Sequence, residues 1–65
     1  MVDGMLNYRC LAFDPDDKVR EFSAVEADCD EDAIQRAQRQ TPPTEAMPLI
    51  EVWREGRVVG RLTYN

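Results

Sequence analysis

Two cysteines, one serine and two acidic clusters are the side chains whose types could support chemistry in this sequence. Cys10 and Cys29 lie too far apart for a CxxC redox pair, and the absence of histidine removes the usual partner in a zinc site. Cys29 stands between Asp28 and Asp30, whose negative charge disfavours a reactive thiolate. Ser23, the only serine, has no histidine to activate it. We therefore predict that the protein is not an enzyme and needs no cofactor.

The acidic cluster at residues 28–32 has the spacing of the start of a calcium-binding loop. The sixth position of such a loop needs a glycine for its sharp turn, and here it is Ala33. The twelfth position needs a bidentate glutamate, and here it is Arg39. We therefore predict no metal site and interpret this cluster as the start of a helix. Weak binding of a divalent cation is left open for the second cluster, Asp14, Asp16 and Asp17.

The composition indicates one small soluble domain. The 65 residues are 43% hydrophobic and 32% charged, with a formal net charge of −5. Because phosphate groups attract cationic surfaces, a net acidic chain is a poor candidate for nucleic-acid binding. No apolar run reaches the ~20 residues that cross a bilayer, and residues 1–5 lack the pattern of a signal peptide. We expect a cytoplasmic protein with reduced cysteines, a loose end at residues 1–5 and a single domain at residues 6–65.

Apolar and polar residues alternate in a way that predicts four strands and one helix in the order ββαββ. The predicted strands span residues 6–13, 19–27, 48–53 and 57–64. Asp28 is the predicted N-cap of the helix, with Glu31 as its capping partner, and residues 41–43 (TPP) end the helix. We expect an α+β fold in which a four-stranded antiparallel sheet, in the order 2-1-3-4, is covered on one face by the helix. The side of the helix that packs against the sheet is predicted to consist of Ala33, Ile34 and Ala37.

The first predicted hairpin has a five-residue loop at residues 14–18, in which Asp14 caps the turn. This loop pairs Cys10 with Phe22 and Tyr8 with Ala24, which places apolar residues together on one face. A four-residue loop would instead place a glutamate beside Cys10.

The second predicted hairpin has a three-residue loop, residues 54–56, that ends at Gly56 with a bulge. This loop pairs Val52 with Val58 and Ile50 with Gly60. Gly60 is then placed to leave space for the helix or to mark a bend.

One helix cannot cover both faces of a sheet, so the second face is predicted to be an interaction surface. The helix-facing residues are predicted to be Tyr8, Cys10, Ala12, Phe22, Ala24, Ile50, Val52, Val58 and Leu62. The remaining strand residues form the uncovered face, with seven apolar members among fifteen. An apolar patch with a charged rim is typical of a docking site. The predicted partner-binding residues are Leu11, Phe13, Trp53, Arg57, Val59 and Arg61.

Three interpretations of this surface are carried forward, beside the alternative that Trp53 merely stacks under Arg57 among scattered apolar side chains. The leading hypothesis is a homodimer, or a module that docks an unknown protein, because a domain this small gains stability by covering apolar surface. A second is a weak single-stranded nucleic-acid binder that uses Trp53, Arg9, Arg57 and Arg61. A third is an acidic module that binds a small basic protein, as an antitoxin does.

The segments VEADCDEDAIQRAQ and IEVWREGRVVGRL resemble a group of short uncharacterised bacterial proteins of alphaproteobacterial type. These proteins share a tyrosine-containing first strand, an acidic helix start and a final EVW-type hairpin. The resemblance implies the ββαββ fold and carries no activity. The two strands before an acidic helix start are also similar to the N-terminal domain of HicB-type antitoxins. This chain differs from that pattern because it has no glycine-rich segment before the helix and no appended DNA-binding domain.

Overall fold

A four-stranded antiparallel sheet and one helix form the fold in the computed structural model, which describes residues 5–65. The strands are β1 Leu6–Phe13, β2 Val19–Ala27, β3 Leu49–Arg54 and β4 Arg57–Thr63, and the helix is α1 Asp30–Gln40. The strand order is β2-β1-β3-β4. The predicted α+β class, the ββαββ order and the strand order are confirmed. The predicted loose end at residues 1–5 lies, apart from Met5, outside the described residues.

The core lies between α1 and one face of the sheet. It consists of Tyr8, Cys10, Ala12, Val25, Ala27, Ala33, Ala37, Ile50 and Val52. The helix contributes two alanines to this set, so it packs close to the sheet, as its predicted buried stripe requires. Ile34 packs against the core from its rim, and a Cβ placed on Gly60 would lie only 2.5 Å from Ile34 Cδ1. The predicted role of Gly60 in leaving space for the helix is therefore confirmed.

The pairing of β1 with β2 differs from the predicted register because β2 contains a bulge. Phe13 lies opposite Val19, as a five-residue loop requires, but one extra residue of β2 then shifts all further pairs. Cys10 therefore lies opposite Ser23 instead of the predicted Phe22. A shift by one residue exchanges the two faces of a strand.

The exchange of faces places small residues of β2 under the helix. Val25 and Ala27 are buried there, whereas Phe22 and Ala24 project from the opposite face, contrary to prediction. Tyr8 lies opposite Val25 and not opposite Ala24. The physical reason is that Tyr8 and the alanines of α1 already fill the layer beneath the helix, so the small side chains of Val25 and Ala27 fit beside them and the Phe22 ring lies outside.

Asp14 organises the loop between β1 and β2, as predicted. Its Oδ1 accepts hydrogen bonds from the backbone N–H groups of Asp16 (2.9 Å) and Lys18 (3.0 Å). Its Oδ2 lies 3.3 Å from Arg20 Nε. Asp17 adopts a left-handed conformation with φ 66°, which aspartate tolerates better than most residues. Asp14 and Asp17 are therefore explained by the turn itself.

The second hairpin closes through a two-residue turn and not through the predicted three-residue loop. Glu55 and Gly56 both have positive φ, 53° and 81°, which defines a type I′ turn. Arg54 lies opposite Arg57 at the base of this turn. The type I′ turn matches the right-handed twist of the two strands, so it is favoured over the longer loop.

A bulge beside this turn displaces the pairs of β3 and β4. Val52 lies opposite Gly60 and Ile50 opposite Leu62, two residues further along β4 than predicted. A displacement by two residues keeps the faces, so Gly60 and Leu62 face the helix as expected. Val59 is the extra residue of the bulge and packs against the core, which corrects its predicted position on the uncovered face. Val58 lies opposite Trp53 on the uncovered face, so its predicted position facing the helix is wrong.

The helix begins one residue later than predicted. Its N-cap is Cys29, not Asp28, and no side chain caps the first turn. The Asp30 carboxylate instead accepts a hydrogen bond of 2.8 Å from the Tyr8 hydroxyl. This bond ties the first turn of α1 to β1. At the other end of the helix, Gln40 Nε2 donates to the backbone oxygen of Ala24 at 3.2 Å, on the outer edge of β2.

The turn of the second hairpin offers a test of its geometry. Replacing Glu55 with asparagine should raise the free energy of unfolding by about 0.5 kcal/mol, because asparagine adopts positive φ at lower cost and Asn-Gly is the preferred type I′ pair. Chemical denaturation measures the change. Glu55→Gln is the matched control, since it removes the same charge without this backbone preference. Equal stability of the two variants would contradict the assigned turn.

Candidate interaction surface

The sheet face opposite α1, which we call the open face, consists of three rows of side chains that cross all four strands. The rows are Ala24, Arg9, Trp53 and Val58; then Phe22, Leu11, Glu51 and Arg61; then Val19, Phe13, Leu49 and Thr63. Leu11, Phe13, Trp53 and Arg61 are predicted partner-binding residues that lie together here. Arg57 lies opposite Arg54 at the turn, outside the rows.

Phe22 is the most exposed large apolar side chain of the described residues, at 62%. Sequence reasoning placed it in the core, so it is the main residue of this surface that the prediction missed. The guanidinium of Arg9 lies over its ring, 5.7 Å from the centroid, within the range of a cation–π contact. Within residues 5–65, Arg9 forms no ion pair. Its positive charge is therefore available to a partner.

Trp53 is held in place by a neighbouring carboxylate. Its Nε1 donates to Glu51 Oε1 at 3.0 Å, and Arg61 Nε donates to Glu51 Oε2 at 3.2 Å. The side chain of Glu51 is only 15% exposed, so its negative charge is mostly satisfied by these two donors. Trp53 lies opposite Val58, and the predicted alternative of a stack under Arg57 is not observed.

A groove of about 520 Å³ lies at the end of the open face nearest the turn between β3 and β4. We call it the Arg9 groove. Its lining residues are Asn7, Arg9, Leu11, Phe22, Trp53, Arg54, Glu55 and Gly56. Phe22 and Trp53 stand on the two strands that flank β1, in adjacent rows, because Phe22 lies opposite Leu11 and Trp53 opposite Arg9. Apolar walls with a few converging polar groups are the usual architecture of a binding site.

The open face is nearly neutral although the chain carries a net charge of −5. Its rows contain two arginines and one glutamate, and Glu26, which lies opposite Asn7 on the same face, brings the net charge to zero. The acidic residues lie mainly in the loop at 14–17 and around the start of α1, where Asp30, Glu31 and Asp32 occupy the first helical turn. The distribution of charge therefore separates an acidic side from an apolar, nearly neutral one.

Two buried ionisable groups, Tyr8 and Cys10, belong to the core and not to this surface. Burial, with the hydrogen bond to Asp30, raises the pKa of Tyr8 to about 12. Burial raises the pKa of the Cys10 thiol, and a hydrogen bond with Ser23 partly opposes this effect. Within residues 5–65, no cluster of three or more acidic, cysteine or histidine side chains could hold a metal ion. Neither buried group is placed to react with a ligand on the open face.

The two cysteines should differ sharply in reactivity. Both are free thiols, but Cys29 is exposed and Cys10 is buried. We expect the native protein to react with one equivalent of a disulfide reagent and with a second only after unfolding, because modification needs an accessible thiol. Cys29→Ser should abolish the reaction of the native protein, and Cys10→Ser should leave it intact. Modification of native Cys29→Ser would show that the sheet opens at Cys10.

Comparison with protein-family models, with curated proteins and with solved structures found no match. Within residues 5–65, no helix has the length and apolar character that a membrane span requires.

Proposed function

We propose that this protein is a non-catalytic interaction module that docks through its open face, and that the surface it docks is the same face of a second copy. The observation that carries the proposal is Phe22. A ring left 62% exposed beside Leu11 and Trp53 loses hydrophobic free energy unless a partner covers it. Contiguous apolar patches of this kind mark interaction sites.

The one-sided fold supports docking because it leaves apolar surface without an internal partner. The only helix among residues 5–65 lies on the other face. A domain of this size buries only about 60% of the surface of its unfolded chain and has little stability to spare. Covering the open face would raise its apparent stability by mass action.

The charge of the open face favours a second copy over nucleic acid. Nucleic-acid binding draws its affinity from several unpaired cations, but Arg61 is engaged with Glu51 and only Arg9 is unpaired within the rows. Two copies that meet through these faces bring nearly neutral surfaces together and keep their acidic loops and helix starts outside. The same acidic surfaces would repel if the copies met through the helix.

The size of the open face predicts a weak dimer. Strands lie about 4.8 Å apart and alternate residues about 7 Å apart, so three rows on four strands cover on the order of 400 Å² in projection. Stable interfaces bury about 800 Å² per partner. Dimerisation should therefore depend strongly on protein concentration.

Sedimentation velocity from low micromolar to about 0.5 mM protein tests the proposal. We expect the mass to rise from one chain towards two as concentration increases, and association not to weaken in high salt, because apolar docking is not screened and the repulsion between two acidic copies is. Phe22→Ser should remain a monomer throughout. Tyr64→Ser is the matched control, since Tyr64 is a half-exposed aromatic outside the strands, and should dimerise normally. A monomeric wild type over the full range overturns self-association.

A further inference from the structure

We infer that the Arg9 groove is a binding site for a small aromatic anion, such as an aromatic carboxylate. The ring would pack against Trp53 and Leu11, and the anionic group would bind the Arg9 guanidinium where it lies over Phe22. This inference goes beyond the proposed docking of a second copy, because it assigns a small-molecule ligand to one end of the open face. It does not require that the protein self-associate.

The walls of the Arg9 groove suit a flat ring. Phe22 and Trp53 stand on strands separated by β1 and in adjacent rows, which sets their attachment points roughly 12 Å apart. A volume of about 520 Å³ exceeds that of a bicyclic aromatic ring. The Trp53 indole is fixed by its hydrogen bond of 3.0 Å to Glu51, so little side-chain entropy is lost when a ring packs against it.

The charge in the groove selects an anion. Arg54, the other cation of the lining, already faces Glu55 at 3.6 Å. Glu51 is satisfied by Trp53 and Arg61. Arg9 alone combines an exposed position, an oriented guanidinium over Phe22 and no carboxylate partner among residues 5–65. Its planar fork of donors matches a carboxylate in a bidentate manner.

The experiment is an NMR titration that follows the indole N–H of Trp53, the only tryptophan of the chain. Four probes separate the contributions of ring and charge: 2-naphthoate, neutral 2-naphthalenemethanol, the cation (2-naphthyl)methylammonium, and acetate. We expect naphthoate to bind about tenfold more tightly than the alcohol, with the cation and acetate weaker still. The net charge of −5 alone would make the cation the tightest of the naphthyl probes. A higher affinity for the anion would therefore locate binding at Arg9.

Two arginine variants decide the assignment. Arg9→Gln should bind naphthoate and the alcohol equally, with the affinity for naphthoate lowered about tenfold. Arg57→Gln, the matched control, removes an exposed arginine outside the groove and should retain the preference. Equal binding of naphthoate and the alcohol by the wild type overturns the inference, as does a preference that survives in Arg9→Gln.

Sedimentation in the presence of naphthoate separates this inference from the proposed function. If both hold, saturating naphthoate lowers the fraction of dimer, because ring and second copy occupy the same end of the open face. If the wild type is monomeric but prefers naphthoate, self-association fails and the ligand site stands. If it dimerises without any preference for the anion, the ligand site fails and self-association stands.

Discussion

Replacing Gly60 with valine should lower the free energy of unfolding by about 3 kcal/mol. A Cβ at this position would lie 2.5 Å from Cδ1 and 2.7 Å from Cγ1 of Ile34, so a branched side chain forces α1 away from the sheet. A single core of this size rarely supplies more than about 3–5 kcal/mol, and the variant should therefore be largely unfolded. Urea denaturation followed by circular dichroism measures the loss.

The contact between Gly60 and Ile34 can be isolated with a double-mutant cycle. Gly60→Ala alone should cost about 1–2 kcal/mol, whereas an alanine in an unobstructed strand position would be stabilising. Ile34→Ala alone removes a half-buried side chain and leaves space above Gly60. Combined with Ile34→Ala, the Gly60→Ala change should cost nothing or stabilise. Strict additivity of the two costs would mean that these residues do not touch.

Alkaline solution should destabilise the protein through Tyr8. Because the pKa of Tyr8 is raised from 10.0 to about 12, the native state keeps the phenolic proton that the unfolded state loses. This contribution to stability is complete below pH 10 and is lost progressively as the pH rises towards 12. The pKa of Cys10 is also raised by burial, so ionisation of this thiol in the unfolded state also lowers the free energy of unfolding as the pH rises. Urea denaturation at pH 8 to 11.5 measures the combined decline.

Tyrosine variants assign the alkaline decline to its source. Tyr8→Phe lacks the ionisable group, so its stability should fall less steeply above pH 10 than that of the wild type. Tyr64→Phe is the control and should decline like the wild type. It also leaves Tyr8 as the only tyrosine, so the ultraviolet absorbance of phenolate reports this residue alone. Ionisation of Tyr8 near pH 10 in the folded protein would contradict its burial.

The sequence was sufficient to predict the elements of the fold and their order. Proline and glycine mark the turns, and alternation marks the strands. Phe13 and Trp53 lie on the same face, as predicted, because the pairing of β1 with β3 is regular: Arg9 lies opposite Trp53 and Phe13 opposite Leu49. The face on which these two side chains lie follows from the alternation within β1 and β3 and does not depend on the geometry of a hairpin loop.

The positions of the two bulges could not be predicted in the same way. In β2, the set of Phe22 and Ala24 and the set of Ser23, Val25 and Ala27 are both plausible inner faces, and the larger side chain favoured the wrong one. What decides between them is which side chains of β2 fit beneath α1 beside Tyr8, which depends on tertiary packing and not on local pattern. The consequence is that Phe22, the centre of the candidate site, was assigned to the core.

The hydrogen bond from Gln40 to the Ala24 oxygen occupies a backbone group on the outer edge of β2. At the opposite edge, β4 carries a bulge and the arginines Arg57 and Arg61, all of which discourage the addition of another strand. Extension of the sheet by edge-to-edge pairing with further copies is therefore hindered at both edges. If two copies dock through their open faces, as proposed, each face is covered once, so the assembly closes at a pair and does not extend into a fibre.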